Sequence, residues 1–242
     1  MTKIYHKIAI LTGAGISAES GLATFRSANG LWNNHKVEDV ASIEGFQRNP
    51  ALVHDFYNDL KVEVQKAKPN AAHLAITKLQ KNYPAKISVI TQNVDTLHEK
   101  AGNQNVYHIH GQINQAVCLN CGHVLETFGD VDTETTCPNC RIMGMMKPNI
   151  VFFGENLLCM DKVDNFLRKC DLFVSVGTSG VVYPAAGFVQ LAKYYGADTI
   201  EFTLDTTANN YLFDRHIYGK AGETLPRYVD ELIASLPQQK SS

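Results

Sequence analysis

Short apolar runs alternate with longer amphipathic stretches along most of this chain. The runs are rich in Val, Ile, Leu and Phe, as is typical of strands that are buried on both faces of a sheet. They lie at Lys7–Leu11, Ile87–Thr91, Leu172–Val176 and Thr199–Leu204. The longer stretches have helical periodicity and lie at Pro50–Lys66, Ala71–Lys81, Val163–Lys169 and Pro184–Tyr195. This alternation predicts an α/β fold in which helices cover a parallel sheet.

Two segments interrupt the alternation. Residues 35–69 have helical periodicity without a clear strand, and we interpret them as a helical insertion. Residues 112–147 combine four cysteines with many turn-forming residues. This second segment is too small to build its own apolar core, so we expect a metal ion to organise it. The remaining residues, 1–34, 70–111 and 148–242, are predicted to form one α/β domain.

Composition narrows the class of protein. Of the 242 residues, 45% are hydrophobic and 19% are charged, a balance that is typical of soluble globular domains. The net charge of −2 implies no broad basic surface, so we expect no nucleic acid partner. The apolar run before Thr12 is too short for a signal sequence or a membrane span. We therefore expect a cytoplasmic enzyme with no membrane partner; an organelle, reached with a presequence that is then removed, is the alternative location.

A glycine-rich loop follows the first predicted strand, with the sequence Thr12-Gly13-Ala14-Gly15-Ile16-Ser17-Ala18. It fits the dinucleotide fingerprint G-x-G-x-x-A, in which Gly13 permits a tight turn and Gly15 lets the backbone approach a pyrophosphate. The alternative is a strand-to-helix turn that binds no ligand. The acidic residue that dehydrogenases carry about twenty positions later is not evident, because Glu38 and Asp39 lie in the helical insertion. This argues against an ordinary dehydrogenase.

Four of the six cysteines form two CxxC pairs, Cys118–Cys121 and Cys137–Cys140, with fifteen residues between them. Such pairs can supply four thiolates to one zinc ion. Two disulfides or four free thiols are the alternatives, and both are less common at this spacing in a cytosolic chain. Because four protein ligands leave no open coordination position, we expect the zinc ion to be structural.

Amide and carboxylate side chains follow the second predicted strand, at Gln92, Asn93 and Asp95. Ligand contacts in α/β proteins come from the carboxyl ends of strands; helix capping by Asn93 or Asp95 is the alternative role. His110 comes shortly afterwards, before Gly111, which permits close backbone approach. A histidine can accept a proton from a sugar hydroxyl. No serine or cysteine nucleophile motif accompanies it, so we expect the nucleophile to come from a substrate.

Jointly, these motifs resemble those of the sirtuin family. The resemblance lies in Gly13-Ala14-Gly15-Ile16-Ser17, Phe25-Arg26, Gly30-Leu31-Trp32, Thr91–His98, His110-Gly111, the paired cysteines, Phe153-Gly154-Glu155, Gly177-Thr178-Ser179 and Val182–Ala186. These segments occur in the family's order and cover nearly the whole chain. The resemblance implies a Rossmann-like domain with a small zinc-binding module, and NAD bound in the cleft between them.

The resemblance also implies an activity, the NAD-dependent removal of acyl groups from lysines of proteins or peptides. In the family, the acyl oxygen attacks the nicotinamide ribose and expels nicotinamide; a histidine then deprotonates a ribose hydroxyl, and O-acyl-ADP-ribose and free lysine result. His110 corresponds to that base, and Asn93 is the second residue assigned to catalysis. The residues implied for the NAD site are Gly13, Ala14, Gly15, Ser17, Ala18, Phe25, Arg26, Trp32, Gln92, Asn93, Asp95, Gly177, Thr178, Ser179, Thr203, Asp205 and Ala221. Packing in the core is an alternative role for Trp32.

Substrate contacts are implied for a further set of residues. They are Ala28, Tyr57, Val151, Phe152, Phe153 and Gly154, the last four through backbone pairing with the substrate peptide. Family members that prefer succinyl or malonyl lysine carry a Tyr-x-x-Arg pair, but here Leu60 stands where the arginine is expected after Tyr57. That loss removes a charge-assisted contact of about 1.5–3 kcal/mol. We therefore expect acetyl or longer neutral acyl groups to be favoured over succinyl.

Two other functions would use most of the same motifs. A mono-ADP-ribosyltransferase would share the NAD site, and a non-catalytic NAD-binding module would share the fold. The intact His110, Asn93 and Asp95 argue against the binding module. In either case we expect the chain to be a monomer.

Overall fold

The computed structural model describes residues 3–24, 31–33 and 35–237. Its strands are β1 (Lys7–Thr12), β2 (Leu31–Trp32), β3 (His35–Lys36), β4 (Lys86–Thr91), β5 (Val106–His108), β6 (Gly111–Cys118), β7 (Val124–Glu126), β8 (Met146–Ile150), β9 (Leu172–Val176), β10 (Asp198–Thr203) and β11 (Arg215–Tyr218). Its α-helices are α1 (Ala14–Ser17), α2 (Val37–Val40), α3 (Ile43–Arg48), α4 (Pro50–Lys66), α5 (Ala71–Asn82), α6 (Leu97–Lys100), α7 (Met160–Leu167), α8 (Phe188–Tyr194) and α9 (Ala221–Ala234).

The main sheet contains six strands in the order β11-β10-β9-β1-β4-β5. Every neighbouring pair in it is parallel. Numbered along the chain, this is the 3-2-1-4-5-6 order of the doubly wound Rossmann fold. The strand order reverses between β1 and β9, which is the point where such sheets open a crevice for ligands.

Residues of β1 alternate between two cores, one on each face of the sheet. Ile8 and Ile10 pack in a buried cluster with α5 and α9, whereas Ala9 and Leu11 pack in a second cluster with α7 and α8. This is the pattern expected of a strand that is covered on both faces, because successive side chains point to opposite sides. The predicted α/β class is therefore confirmed.

Each predicted helix and strand is present, with bounds close to those predicted. Helix α4 has the predicted bounds because the Asn49 side chain caps it, Pro50 occupies its first turn, and Pro69 follows soon after it. The predicted helix Pro184–Tyr195 begins as a 3-10 turn, Ala185–Gly187, before α8. The strands β5 and β11 and the helix α9 were not predicted.

The two interrupting segments pack against each other. Residues of α4, among them Val53, Phe56 and Leu60, share a buried cluster with Ile113 of β6 and Ile150 of β8. Strands β7, β6 and β8 form a separate three-stranded antiparallel sheet. Among the described residues, no helix is long and apolar enough to cross a membrane.

Candidate active site

A cleft of about 730 Å³ opens at the carboxyl ends of the main-sheet strands. Its walls come from the loop after β1, from the segments that follow β4, β9 and β10, from α4, and from the segment after β8. The volume lies within the range of about 300–1,000 Å³ that is typical of small-molecule sites. Because the cleft lies at the point where the strand order reverses, its size and position fit a dinucleotide.

His110 lies in this cleft with one ring nitrogen already engaged. Its Nδ1 is 2.9 Å from the carbonyl oxygen of Gln92. A carbonyl can only accept, so Nδ1 carries the proton and donates, and Nε2 of the neutral ring keeps its lone pair. Burial lowers the pKa of His110, although the hydrogen bond to Gln92 acts in the opposite direction. His110 is therefore a neutral base at neutral pH.

Asn93, Ser17 and Asp95 form a buried polar cluster beside it. The Asn93 amide nitrogen donates to the carbonyl oxygen of Gly13 and to the Ser17 hydroxyl, both at 3.1 Å. Ser17 in turn donates to Oδ2 of Asp95 at 2.8 Å, and Oδ1 of Asp95 accepts from the backbone amide of Leu97 at 2.9 Å. These bonds tie the segment after β4 to the glycine loop after β1, so that both segments face the cleft as one wall.

The glycines of the first loop are required by a second loop. A β-carbon on Gly15 would lie 2.7 Å from Cα of Gly177, and one on Gly13 would lie 2.8 Å from the carbonyl oxygen of Gly177. Gly177 itself has φ +63 and is equally confined by Gly15. Gly13 has extended backbone, with φ −124, so its role is close packing against Gly177 and not the tight turn that the sequence suggested.

An apolar end of the cleft lies beside α4. Tyr57 is 1% exposed and Leu60 is 6% exposed, and both line the cleft together with Trp32 and Phe152. The centroid of the Trp32 ring lies 5.1 Å from that of Phe56 and 6.0 Å from that of Tyr57. Trp32 therefore packs against aromatic core residues and also lines the cleft. The Tyr57 hydroxyl has no hydrogen-bond partner among the described residues.

The segment Val151–Gly154 lines the cleft, but much of its backbone is already bonded. The amide of Val151 donates to the carbonyl of His110 at 2.9 Å, and that of Phe153 donates to the carbonyl of Ala41 at 2.8 Å. The amide of Phe152 donates to the Glu155 carboxylate at 2.7 Å. Backbone pairing with a peptide is therefore restricted to groups of this segment other than these three amides.

The four paired cysteines form one cluster. Their sulfur atoms all lie within 4.8 Å of one another, and the Cys118–Cys140 and Cys121–Cys137 sulfur pairs are each 3.7 Å apart. A disulfide would require about 2.05 Å. A zinc–thiolate bond of about 2.3 Å gives a tetrahedron whose edge is about 3.8 Å. The donor set and spacing thus fit one four-coordinate zinc ion, as the sequence predicted.

Comparisons with known proteins give the family. The Sir2 family description matches residues 13–184 of the chain. The chain belongs to the Sir2 family. The NAD-dependent protein deacylase SIR2rp3 of Leishmania major is 51% identical over 93% of this chain and 95% of its own length. The NAD-dependent protein deacylase of Vibrio parahaemolyticus is 51% identical over 95% of this chain and 96% of its own length.

A solved structure of a Sir2 homologue in complex with NAD shares the fold. It superposes with a TM-score of 0.87 at 35% identity, covering 96% of this chain and 91% of the other. The resemblance inferred from the motifs is therefore confirmed. The Rossmann-like sheet with its cysteine cluster is the architecture of a Sir2-family protein.

The structure brings most of the sequence-predicted site residues to one Sir2-family cleft. Those that line it are Gly13, Ala14, Gly15, Ser17, Ala18, Trp32, Tyr57, Gln92, Asn93, Asp95, His110, Val151, Phe152, Phe153, Gly154, Gly177, Thr178, Ser179, Thr203, Asp205 and Ala221. Phe25, Arg26 and Ala28 lie outside the described residues. The Thr203 hydroxyl is occupied, because it donates to the carbonyl of Asp205 at 2.7 Å.

Sequence reasoning missed several residues of this Sir2-family site. Glu19, Leu22 and Lys220 line the cleft, and Glu19 accepts a hydrogen bond from the amide of Gly222 at the start of α9. No motif signals this contact, because it joins residues that lie far apart in the sequence and α9 itself was not predicted. His108 of β5 lies behind the cleft, with its Nδ1 3.1 Å from the carbonyl oxygen of Asn93.

Proposed function

We propose that this chain is an NAD-dependent protein-lysine deacylase that moves the acyl group of a modified lysine to ADP-ribose and releases nicotinamide. The observation that carries the proposal is the placement of His110. Its proton is held on Nδ1 by Gln92, so its basic Nε2 is available in a cleft of dinucleotide size. The names of the relatives at 51% identity support the same activity.

His110 would act as the general base. Bound NAD supplies a nicotinamide leaving group and a ribose hydroxyl that can receive the acyl group. Nε2 of His110 would take the proton of that hydroxyl, and the Gln92 carbonyl would stabilise the resulting imidazolium through Nδ1. The lowered pKa of His110 keeps Nε2 unprotonated at neutral pH.

Asn93, Asp95 and Ser17 would hold the nicotinamide end of the cosubstrate. Asn93 and Asp95 are 7% and 5% exposed, so their remaining hydrogen-bonding capacity is directed into the protein and the cleft. Their fixed bonds to the glycine loop mean that little reorganisation is needed when a ligand binds. Residues Gly177 to Ser179 and Thr203 to Asp205 would form the adenosine side.

The zinc ion would be held by Cys118, Cys121, Cys137 and Cys140 and would be structural. Four protein thiolates complete its coordination, so it has no position for a substrate. It would anchor the small sheet, whose strand β6 begins at Gly111, directly after the proposed base. The metal would therefore influence the reaction only through the wall of the cleft.

The acyl group would be neutral, with acetyl favoured. Tyr57 and Leu60 lie one helical turn apart on α4 and both line the apolar end of the cleft, where Leu60 stands in the arginine position of carboxylate-recognising relatives. A succinyl carboxylate would lose its water there without gaining a cation in return. Tyr57 offers a single hydroxyl.

The wider setting is also a proposal. We propose that the enzyme acts in the cytoplasm as a monomer on acylated proteins. The paired cysteines support a reducing compartment, because their paired sulfur atoms lie 3.7 Å apart and form no disulfide. We also propose three parts: a Rossmann-like domain of residues 1–34, 70–111 and 148–242, a helical insertion of residues 35–69 and a zinc module of residues 112–147. The small antiparallel sheet, which runs from Gly111 to Ile150, supports a separate zinc module and extends slightly beyond these limits at both ends.

The test is a panel of matched peptides that carry acetyl, butyryl, myristoyl or succinyl lysine, incubated with NAD. Mass spectrometry should detect O-acyl-ADP-ribose in step with nicotinamide, and acetyl turnover should exceed succinyl turnover. ADP-ribosylated protein without O-acyl-ADP-ribose would identify a transferase instead. NAD binding without nicotinamide release would identify a binding module.

A further inference from the structure

The segment that carries Gln92 and Asn93 is held through four successive carbonyl groups. The carbonyl oxygen of Thr91 accepts from the amide of Ile109 at 3.0 Å, and that of Val94 accepts from the amide of Ile113 at 2.9 Å. Between these two, the carbonyl oxygens of Gln92 and Asn93 accept from imidazole rings, not from backbone amides.

The two rings are those of His108 and His110, at the end of β5 and just after it. His110 Nδ1 lies 2.9 Å from the Gln92 oxygen, and His108 Nδ1 lies 3.1 Å from the Asn93 oxygen. His108 is the last residue of β5 and His110 lies in the turn that follows it, so the two rings hold adjacent peptide groups. The parallel pairing of β4 and β5 ends where Thr91 lies opposite His108. Beyond that point, the His108 and His110 side chains connect the two segments through hydrogen bonds to Asn93 and Gln92.

The second nitrogens of the two rings have different surroundings. His110 lines the cleft, and Nδ1 is the only one of its ring nitrogens that hydrogen-bonds to the described residues, whereas Nε2 of His108 lies 2.8 Å from a carboxylate oxygen of Glu99 on α6. His108 is 8% exposed, and both its ring nitrogens lie within hydrogen-bond distance of acceptors, so the two bonds form together only when each nitrogen carries a proton. Burial raises the pKa of Glu99, but the hydrogen bond and charge of His108 outweigh it, so the pKa is lowered and the carboxylate is ionised.

From this geometry we propose that His108, seated on Glu99, is a positioning residue for the reaction: it fixes the Asn93 carbonyl and thereby the side chains of Asn93 and Gln92 at the nicotinamide end of the cleft. The proposal rests on the proposed function, since positioning matters only where the cleft is catalytic. His108 itself does not contact the reacting groups. It acts through Asn93, whose amide reaches Gly13 and Ser17.

Two substitutions of His108 separate its two bonds. The amide of asparagine occupies nearly the position of Nδ1, and that of glutamine occupies nearly the position of Nε2. His108→Asn should keep the bond to the Asn93 carbonyl and lose the bond to Glu99. His108→Gln should keep the Glu99 bond and lose the Asn93 bond. The two variants are similar in polarity, so each is the control for the other.

The expected result is a difference in kcat. His108→Gln should lower kcat by roughly 10- to 100-fold, as small misplacements of catalytic groups do, with a smaller change in the KM for NAD. His108→Asn should stay within about 3-fold of the parent chain, since only a bond to a partly exposed carboxylate is lost. If the two variants lose the same activity per folded molecule, or only thermal stability, the proposal is wrong.

A second readout does not depend on turnover. Nitrogen-15 NMR of the histidine rings reports the tautomer of His110, which the Gln92 carbonyl holds as Nδ1–H. In His108→Gln the loosened segment should release that bond, so the Nε2–H tautomer should increase; in His108→Asn it should not. An unchanged tautomer in both variants contradicts the proposal. A shifted tautomer in a chain that does not release nicotinamide would instead reject the proposed function alone.

Discussion

Nδ1 of His110 donates to the carbonyl oxygen of Gln92 over 2.9 Å, which leaves Nε2 as the basic atom in the cleft. Replacing His110 with alanine should therefore lower deacylation by about 10²- to 10⁴-fold, the usual contribution of a general base. NAD affinity should change little, because the polar cluster of Asn93, Ser17 and Asp95 remains. Nicotinamide release and calorimetric NAD binding measure the two effects.

The matched control is His6→Ala, because His6 is exposed and precedes β1 at the end of the strand remote from the cleft.

The parent enzyme should also stay active in mild acid, because burial lowers the pKa of His110 and the neutral base persists below the ordinary histidine range. Turnover should fall only when the pH drops through that lowered value. Full activity in His110→Ala would show that another group is the base.

The sequence indicated the centre of the sheet well and its edges poorly. β1, β4 and β9 are almost wholly buried, and their apolar runs require no knowledge of neighbours. By contrast, β5 contains only Val106–His108, and the edge strand β11 has mostly exposed residues. Such short polar strands exist because a neighbouring strand pairs with them, which a single sequence does not reveal. Helix α9 was missed because Pro226 lies inside it, and a proline is normally a signal that a helix ends.

The candidate site divides in the same way. The cysteine cluster could be predicted because its spacing alone defines a zinc ligand set. The reason for Gly13 and Gly15 could not, because the closest atoms that exclude a side chain belong to Gly177, in the loop after β9 and far along the chain. The contacts of His108 were also hidden, since a Glu99–His108–Asn93 chain of side chain and backbone exists only after β4 and β5 pair.

Replacing Leu60 with arginine should shift the acyl preference toward succinyl. Leu60 is 6% exposed and lines the apolar end of the cleft beside Tyr57, so a guanidinium there would meet the acyl carboxylate away from bulk water. A charge-assisted hydrogen bond of about 1.5–3 kcal/mol corresponds to a gain of roughly 10- to 100-fold in relative kcat/KM for succinyl over acetyl peptide.

Leu60→Met is the control for size without charge, and it should leave the ratio of succinyl to acetyl turnover nearly unchanged. Steady-state kinetics on matched peptides measure the ratio for all three proteins. A parent enzyme that already prefers succinyl would contradict the assignment of Leu60 as the residue that sets this preference.

Introducing a β-carbon at Gly15 should separate two loops of the cleft. The new atom would lie 2.7 Å from Cα of Gly177, which is backbone and cannot rotate away. We expect Gly15→Ala to lower the free energy of unfolding by about 1–3 kcal/mol, as overpacking does, and to weaken NAD binding. Urea denaturation and calorimetry measure these changes. Gly129→Ala is the control, because no described atom beyond its chain neighbours lies within 4 Å of its β-carbon position, and it should match the parent.

Removing zinc should disrupt the small sheet. Two of the four ligands, Cys118 and Cys137, belong to the buried cluster between β6 and β8, so a strong chelator should lower the thermal midpoint and activity together. The native protein should contain one zinc ion per chain by elemental analysis. Cys137→Ser should lose the metal, whereas Cys159→Ser, at an exposed cysteine outside the cluster, should retain it. A stable, fully active zinc-free protein would refute a structural role.

Acid should destabilise the protein through His73. His73 is fully buried, its Nε2 has no hydrogen-bond partner in the described part of the chain, and its ring lies 5.0 Å from that of His98. Burial, with the neighbouring His98 ring, lowers the pKa of His73 to about 3. The unfolded chain binds a proton near pH 6.5, so it holds more protons than the folded chain between about pH 6.5 and 3. The free energy of unfolding should therefore decrease as the pH is lowered through that window, and His73 should account for a loss of roughly 2 kcal/mol at pH 5.

The measurement is the free energy of unfolding in urea at several pH values. His73→Gln removes the titrating ring, so its stability should depend less steeply on pH below 6.5 than that of the parent, even if the substitution lowers stability at pH 7. His6→Gln, at an exposed histidine, is the control for replacing a histidine with glutamine elsewhere in the chain. Equal slopes in the parent and in His73→Gln would mean that other groups, such as the buried His98 and its partner Asn103, carry the acid sensitivity.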